Sequence, residues 1–441
     1  MPKQLSPRTL WGYGLGDFGQ NLVFQTLAIF LLPFYTEVLG LSPALAGLIF
    51  LIARPVDGLT DPIMGFLAQR YRSRWGSFRP FLLYGALPVG LTFGLLFHEP
   101  ALGSTGKFIY AFGTYLLFGL CFTAVNIPYG ALTAVLTPDY HERSKLTGYR
   151  MSFALLGGIL AGYGTPAILN RLDTHLDMAA IYALILVGGL LFTFLTVQEE
   201  IPKLPPARES LRLTFRMLRH NRPFWQLAVS FGCCFAALMV FSGTAVYYFE
   251  HFVGENGSLG TALLCFTVAT AASVPLWTLA VKRIGKRKSF LLGIGLSLLA
   301  FLLAFTLSPT HLIPLYLTFV LHGIGNGAAA LTSWAMPADT IEYGQWQSGI
   351  RATGMTYGVY GVVIKLGIGI GTGLVGLVLS WVGYEANQTQ SPEALQGIRA
   401  LQTLLPAAFL LLAGITMWFY TLTQKRHEEI RRELLERGVS L

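Results

Sequence analysis

Apolar runs of about twenty residues, the length a helix needs to cross a bilayer, recur along almost the whole of this 441-residue chain. They cover 10–39, 41–68, 81–97, 108–136, 147–169, 178–197, 224–252, 259–281, 290–307, 312–336, 353–382 and 401–422. The expected fold is an all-α integral membrane protein of about twelve transmembrane helices. Composition agrees, with 53% hydrophobic and only 12% charged residues, outside the range of a soluble domain. The first run follows only Lys3 and Arg8. It is too long for a signal-peptide core and lacks a small-residue cleavage site, so it is expected to stay in the mature protein. Cys121, Cys233, Cys234 and Cys265 all fall in apolar runs without metal-ligand spacing, which assigns them to packing rather than to a disulfide or a zinc site.

The formal net charge of +9 does not indicate nucleic acid, because Lys and Arg gather in alternate connections. These are Lys3 and Arg8, then Arg70, Arg72, Arg74 and Arg79, then Arg143 and Lys145, and the stretches 203–222, 282–288 and 425–437. The opposite connections offer only Lys107, Arg171 and Arg399. By the positive-inside rule both termini and the long middle loop are expected in the cytoplasm, which requires an even number of spans.

The sequence also repeats itself. Arg74-Trp-Gly76-Ser-Phe-Arg79-Pro-Phe81-Leu-Leu83 returns as Arg283-Ile-Gly285-Lys-Arg-Lys288-Ser-Phe290-Leu-Leu292, and the pair Asp139 and Glu142 returns as Asp339 and Glu342. Two parallel halves of about six helices are implied, at 1–197 and 224–423, with a linker at 198–223 and a tail at 424–441. The linker holds Pro202, Pro205, Pro206 and Pro223 and a basic stretch with Leu211, Phe215 and Leu218 on one side. That stretch reads either as a helix on the membrane surface or as a solvated connection. The tail, dense in both signs of charge, reads as a helix with pairs at helical spacing. Glycines cluster at 157–162, 323–327 and 367–373, where they let membrane helices approach closely.

Within the second run, three charges stand where lipid would otherwise be: Arg54, Asp57 and Asp61. Each ionised group near the bilayer centre costs at least ~2.5 kcal/mol, so such residues turn inward and mark a transport pathway or relay. Asp57 and Asp61, four residues apart, share a helical face, with Arg54 one turn earlier on the same side. One reading is a cation site, because a hard cation takes several oxygen ligands. The other is a structural bridge in which Arg54 neutralises the aspartates. One arginine cannot neutralise two aspartates, which favours the cation site.

Several segments together resemble the glycoside-pentoside-hexuronide:cation symporter family, to which melibiose permeases belong and of which the lysolipid symporters of animals are distant relatives. They are Gly14-Leu-Gly-Asp-Phe-Gly-Gln-Asn21, Phe34-Tyr-Thr-Glu37-Val-Leu-Gly40, Arg54-Pro-Val-Asp57-Gly-Leu-Thr-Asp61-Pro-Ile-Met-Gly65, Arg72-Ser-Arg-Trp-Gly-Ser-Phe-Arg-Pro80, Asn126-Ile-Pro-Tyr129 and Ala338-Asp-Thr-Ile-Glu-Tyr-Gly344, with Lys365. The resemblance implies a twelve-helix major facilitator fold in two pseudo-symmetric halves, coupling a solute to Na+, H+ or Li+ without a cofactor. It places Asp57 and Asp61 as cation-site carboxylates, and Thr60 and Thr123 where neighbouring oxygen ligands lie. Lys365 matches an intramembrane lysine close to both sites, forming with Arg54 a charge network; a pure counter-charge is its competing role. Arg150 lies at or within one residue of an arginine used near the sugar, against the alternative of a topology anchor.

The resemblance breaks where melibiose permeases place acidic residues in helices one and four. This chain has Asn21 and Asn126 there, and Gly130 at the tryptophan stacking position one turn on. An amide still donates to and accepts from a hydroxyl, without the charge-assisted bond of a carboxylate. Asp17, on the face of Asn21, either compensates or serves the fold. Tyr129, Trp334 and Tyr357 are candidates for stacking on a sugar. His322 reads as a packing histidine before a substrate donor.

The function expected is a secondary symporter in a bacterial inner membrane, importing a sugar with a cation by alternating access. Na+ is preferred over H+, since the hydroxyls of Thr60 and Thr123 help a metal ion more than a proton. Its partners are the small-molecule solute, a monovalent cation and membrane lipids, with no nucleic acid, and it is expected to be monomeric. A lysolipid or other amphiphile is the alternative solute. An intramembrane prenyltransferase is the remote one, since it needs a second aspartate-rich motif that Asp339 and Glu342 do not make.

Overall fold

Lipid offers the backbone no hydrogen-bond partner, so a chain of bilayer-spanning runs satisfies its amides within each segment, as helix. The computed structural model describes residues 5–137, 140–172, 174–199, 217–254, 258–308, 311–349 and 353–437. Among these it is helical apart from short connections and one isolated bridge between Ser73 and Gly76. Helix α1 is Pro7–Thr26, continued through π-helical turns at Leu27–Leu31 and Phe34–Val38. Then come α2 at Pro43–Arg70, α3 at Arg79–Leu96 and α4 at Ser104–Val135. Helix α5 is Tyr140–Ile159, running on through Leu160–Gly164 and Thr165–Leu169, and α6 is His175–Thr196. Helix α7, Arg222–Tyr247, continues through Tyr248–Val253. The last six are α8 at Leu259–Ile284, α9 at Lys286–Thr306, α10 at Leu312–Ser348, α11 at Thr353–Trp381, α12 at Pro392–Trp418 and α13 at Gln424–Glu436.

Eleven of the described helices are long and apolar enough to cross a membrane. Helix α1 falls short in composition because Asp17, Gln20 and Asn21 lie in its middle, yet it packs along α5 and α6 inside the bundle and makes the twelfth. Several helices outrun their apolar runs, since hydropathy registers only the part in lipid while caps set the start. Ser391 accepts the Ala394 amide at 3.1 Å and starts α12 at Pro392 rather than near 401. Asn221 does the same for α7 through the Phe224 amide, at 3.1 Å. Helix α10 continues past 336 to Ser348, ending where Gly349 turns left-handed at φ 73°.

Helices α1–α6 and α7–α12 form two bundles that meet along α2 with α11, α5 with α8 and α1 with α7. The α2–α11 seam is made by glycine: a methyl on Gly47 would stand 2.5 Å from the Gly373 carbonyl oxygen, and one on Gly376 would strike the Pro43 carbonyl. Backbones approach so closely only where side chains are missing.

At one end the bundles are latched through Glu37. Tyr384 donates to Glu37 Oε1 at 2.5 Å, the Asn387 backbone amide donates to Oε2 at 3.0 Å, and the hydroxyls of Thr36 and Tyr247 pair at 2.8 Å. Burial, and then the Glu37 carboxylate, hold the Tyr384 hydroxyl well above its ordinary pKa, so it remains the donor. The opposite end carries the α2–α3 and α8–α9 turns and α13. There Ile430 and Leu434 of α13 are buried, and His427 stands 2.7 Å from Glu342 of α10. The basic stretch of the linker lies outside the described residues up to 216, and Asp139 lies outside them too. From 217 the chain enters a short helical turn in which Met217 and Leu218 are buried.

Candidate functional site

Charges within spans must turn away from lipid, and those of α1, α2, α5 and α11 turn into one cavity between the two halves. Its volume is about 320 Å3, within the range of small-molecule sites, about 300–1,000 Å3. The charged residues lining it are Asp17, Arg54, Asp57, Asp61, Arg150 and Lys365.

Helix α2 delivers Arg54, Asp57 and Asp61 on one face, as their spacing requires. Asp61 is fully engaged: Thr123 of α4 donates to Oδ1 at 2.9 Å, and Lys365 of α11 stands 2.6 Å from Oδ2. Lys365 also donates to the Asp57 carbonyl at 3.2 Å, tying α11 to α2 across the interface between halves. Asp57 is the more buried of the two carboxylates, and its only ion-pair partner among the described residues is Arg54, at 3.5 Å. Gly119 of α4 lies against Asp57 Oδ1, and a methyl there would collide with it. The count of one arginine against two aspartates is therefore incomplete. The second cation comes from the other half of the chain, 304 residues away in sequence from Asp61 at position 365, and the charge count alone does not demand a bound ion.

The same cavity holds a second polar group. Arg150 Nε donates to Asp17 Oδ1 at 2.9 Å, and Asn21 donates to Asp17 Oδ2 at 3.2 Å. Asn126 donates to Gln20 Oε1 at 2.9 Å. Arg150 engages Asp17 through Nε and lines the cavity. Its guanidinium also lies 5.5 Å from the centre of the Tyr129 ring. Trp334 of α10 completes the wall and is 58% exposed.

The cavity thus gathers Asp17, Asn21, Arg54, Asp57, Asp61, Thr123, Asn126, Arg150, Trp334 and Lys365 from the residues expected. It does not gather the rest. Tyr129 is wholly buried, stacked on Tyr13 at 4.5 Å and 12°, so it backs Arg150 instead of facing a solute. Thr60 spends its hydroxyl on the Asp57 carbonyl at 3.0 Å and lies outside the lining. Tyr357 also lies outside it. His322 sits among Phe241, Phe266 and Phe301 in the second bundle, as a packing histidine. The lining also includes Gln20 and Tyr115, which the motifs do not single out. Gln20 is legible from its place three residues after Asp17, on the same helical face; the apolar run around Tyr115 gives no such signal.

The sequence matches the family described as MFS/sugar transport protein over residues 12–424. It is 35% identical to the "Glucuronide carrier protein homolog" of Escherichia coli (strain K12), across 98% of this chain and 96% of that protein. It is 31% identical to the "Putative glycoside/cation symporter YagG" of the same organism, across 98% and 96%. The crystal structure of the nucleoside transporter NupG superposes with a TM-score of 0.65 at 15% identity, covering 94% of this chain and all of that one, which speaks for the fold alone. These matches run nearly end to end and leave no place for the prenyltransferase reading. The chain belongs to the MFS/sugar transport family: it is a multi-pass membrane transporter and not an enzyme.

Proposed function

We propose that this transporter is a cation-coupled sugar symporter of the glycoside-pentoside-hexuronide type, and that its solute is an acidic sugar. The observation that carries this reading is the charge balance of the cavity, where three carboxylates meet three cationic side chains. A monovalent cation bound alone leaves one positive charge uncompensated in a partly dry site, and an acidic sugar alone leaves one negative charge. Unpaired buried charge costs several kcal/mol, so each ligand favours the other and the pair enters together. Asn21 and Asn126, standing where melibiose permeases have acids, spare an anionic solute two repulsions. The names of the relatives, a glucuronide carrier homolog and a glycoside/cation symporter, agree with both parts.

In this reading Asp57, whose partner Arg54 stands off at 3.5 Å, takes the ion, with Thr123 and Asp61 as further oxygens. Arg150 offers its terminal nitrogens to the sugar carboxylate, and Gln20, Asn21 and Asn126 meet hydroxyls. An ion between Asp57 and Asp61 competes with Lys365 and loosens its hold on α2, which passes occupancy to the rocking of one half against the other. Na+ is the preferred ion. The gathering of Lys and Arg in alternate connections supports cytoplasmic termini in a protein of a bacterial inner membrane, and the cavity lies within one chain, so a monomer suffices.

Uptake into proteoliposomes tests this. An imposed Na+ gradient should drive accumulation of a methyl glucuronide at least about tenfold better than methyl glucoside, since one charge-assisted hydrogen bond is worth about 1.5–3 kcal/mol. With one ion per sugar the net charge moved is zero, so an imposed membrane potential should leave the glucuronide rate unchanged. Equal accumulation of the glucoside, or glucuronide uptake driven by the potential, contradicts the electroneutral acidic-sugar reading.

A further inference from the structure

Among the described residues, the turn that repeats in this sequence is capped by a carboxylate in one half only. In the first half Gly76 adopts φ 107°, and the carboxylate of Glu199, just past α6, fills the start of α3. Its Oε1 accepts the Ser77 amide at 2.8 Å, and its Oε2 accepts the Phe78 amide at 2.8 Å and the Arg79 amide at 3.4 Å. Converging amides at the start of a helix are an anion site.

In the second half Gly285 adopts φ 83° before α9, and the repeat sets the amides of Lys286, Arg287 and Lys288 in register with those of Ser77, Phe78 and Arg79. The side chain lying over this glycine is Gln424, whose Oε1 would stand 3.2 Å from a methyl on Gly285, as Glu199 lies over Gly76. Its amide nitrogen donates to Glu428 at 3.0 Å. A neutral amide thus takes the place of the carboxylate.

Around this turn opens a cavity of about 780 Å3 between the α8–α9 turn, the end of α10 and the α12–α13 connection. Lys286 is committed to Asp339 at 2.7 Å, and Arg287 to the last carbonyls of α12. Lys282, Lys288 and Lys425 also line the cavity and have no ion-pair partner among the described residues. Its floor is apolar, with Ile284, Leu291, Met336 and Leu422, and exposed Trp418 lies at its edge where α12 ends.

We propose that this cavity binds the phosphate of an anionic phospholipid, which supplies the negative charge that Glu199 supplies in the first half. Unpaired lysines and free amides recognise the phosphate. The apolar floor and the exposed tryptophan at a helix end select a lipid over a free anion, because acyl chains lie against that rim. The bound lipid fastens α13 and the α12–α13 connection to the second bundle.

Thermal unfolding of the full-length protein in micelles doped with phosphatidylglycerol or phosphatidylcholine, with lipid retention read by native mass spectrometry, tests the proposal. Phosphatidylglycerol should raise the midpoint and be retained, and phosphatidylcholine should do neither. Lys282→Gln, Lys288→Gln and Lys425→Gln should each weaken retention about fivefold. Gln424→Glu should weaken it as well, by placing a carboxylate where the phosphate sits, without removing any cation. Arg70→Gln with Arg74→Gln, beside the turn that Glu199 caps, should leave retention unchanged. Equal protection by phosphatidylcholine, replacement by millimolar inorganic phosphate, equal loss in the Arg70/Arg74 variant, or wild-type retention in Gln424→Glu overturns it.

Discussion

Asp57→Asn is expected to abolish uphill accumulation of the sugar while leaving exchange down its own gradient close to wild type. The carboxylate is buried, 5% exposed, and its ion-pair partner, Arg54, stands off at 3.5 Å. An amide keeps its volume and removes its charge, and a hard cation in a dry site needs that charge. Asp61 should behave differently. Its loss strands Lys365, now 2.6 Å away in a half-buried pair, and a charge left without its partner destabilises the fold, so Asp61→Asn should also lower the yield of folded protein. The double variant Asp61→Asn/Lys365→Gln should recover the yield but not the accumulation. Wild-type accumulation by Asp57→Asn in energised vesicles would remove the cation site from α2.

Arg150→Lys is expected to raise the KM for an acidic sugar about 10–100-fold, the worth of a lost charge-assisted pair, with little effect on a neutral glycoside. Lysine keeps the positive charge beside Asp17, which is 3% exposed and would otherwise be left unpaired, so the fold is spared. It cannot serve Asp17 and a second carboxylate at once, as a planar guanidinium with five donors can. Initial uptake rates over a range of glucuronide and glucoside concentrations would show this. An equal rise for both sugars would make Arg150 a support for the cavity wall rather than a reader of the acid.

Much of the fold is legible in the sequence. The twelve runs and the polarity of their connections give the helices, because an apolar segment of about twenty residues satisfies its backbone in lipid as a helix. The inward face of α2 follows from the spacing of Arg54, Asp57 and Asp61 alone. Contacts that depend on two distant segments meeting are not legible in this way. Residue spacing does not say that Lys365 lands on Asp61, which only the family resemblance brings near the cation site, or that Asn126 reaches Gln20, since both contacts arise from packing between helices far apart in sequence. Tyr129 shows the converse. Its aromatic ring suits a sugar by type, yet Tyr13 claims it by stacking. Helix starts depart from the apolar runs for a different reason: Ser391 and Asn221 set them through hydrogen bonds that hydropathy does not register.

If ion and acidic sugar bind as a pair, calorimetric titration of the purified transporter with a glucuronide, at fixed pH with and without Na+, shows it most directly. Linkage makes any coupling reciprocal, and coupling free energies of 1–3 kcal/mol correspond to about 5–150-fold in affinity. Saturating Na+ should tighten glucuronide binding by a factor in that range, the glucuronide should tighten Na+ binding by the same factor, and Asp57→Asn should remove both effects. Glucuronide affinity unchanged by Na+, or affinity that responds only to falling pH, would contradict paired binding.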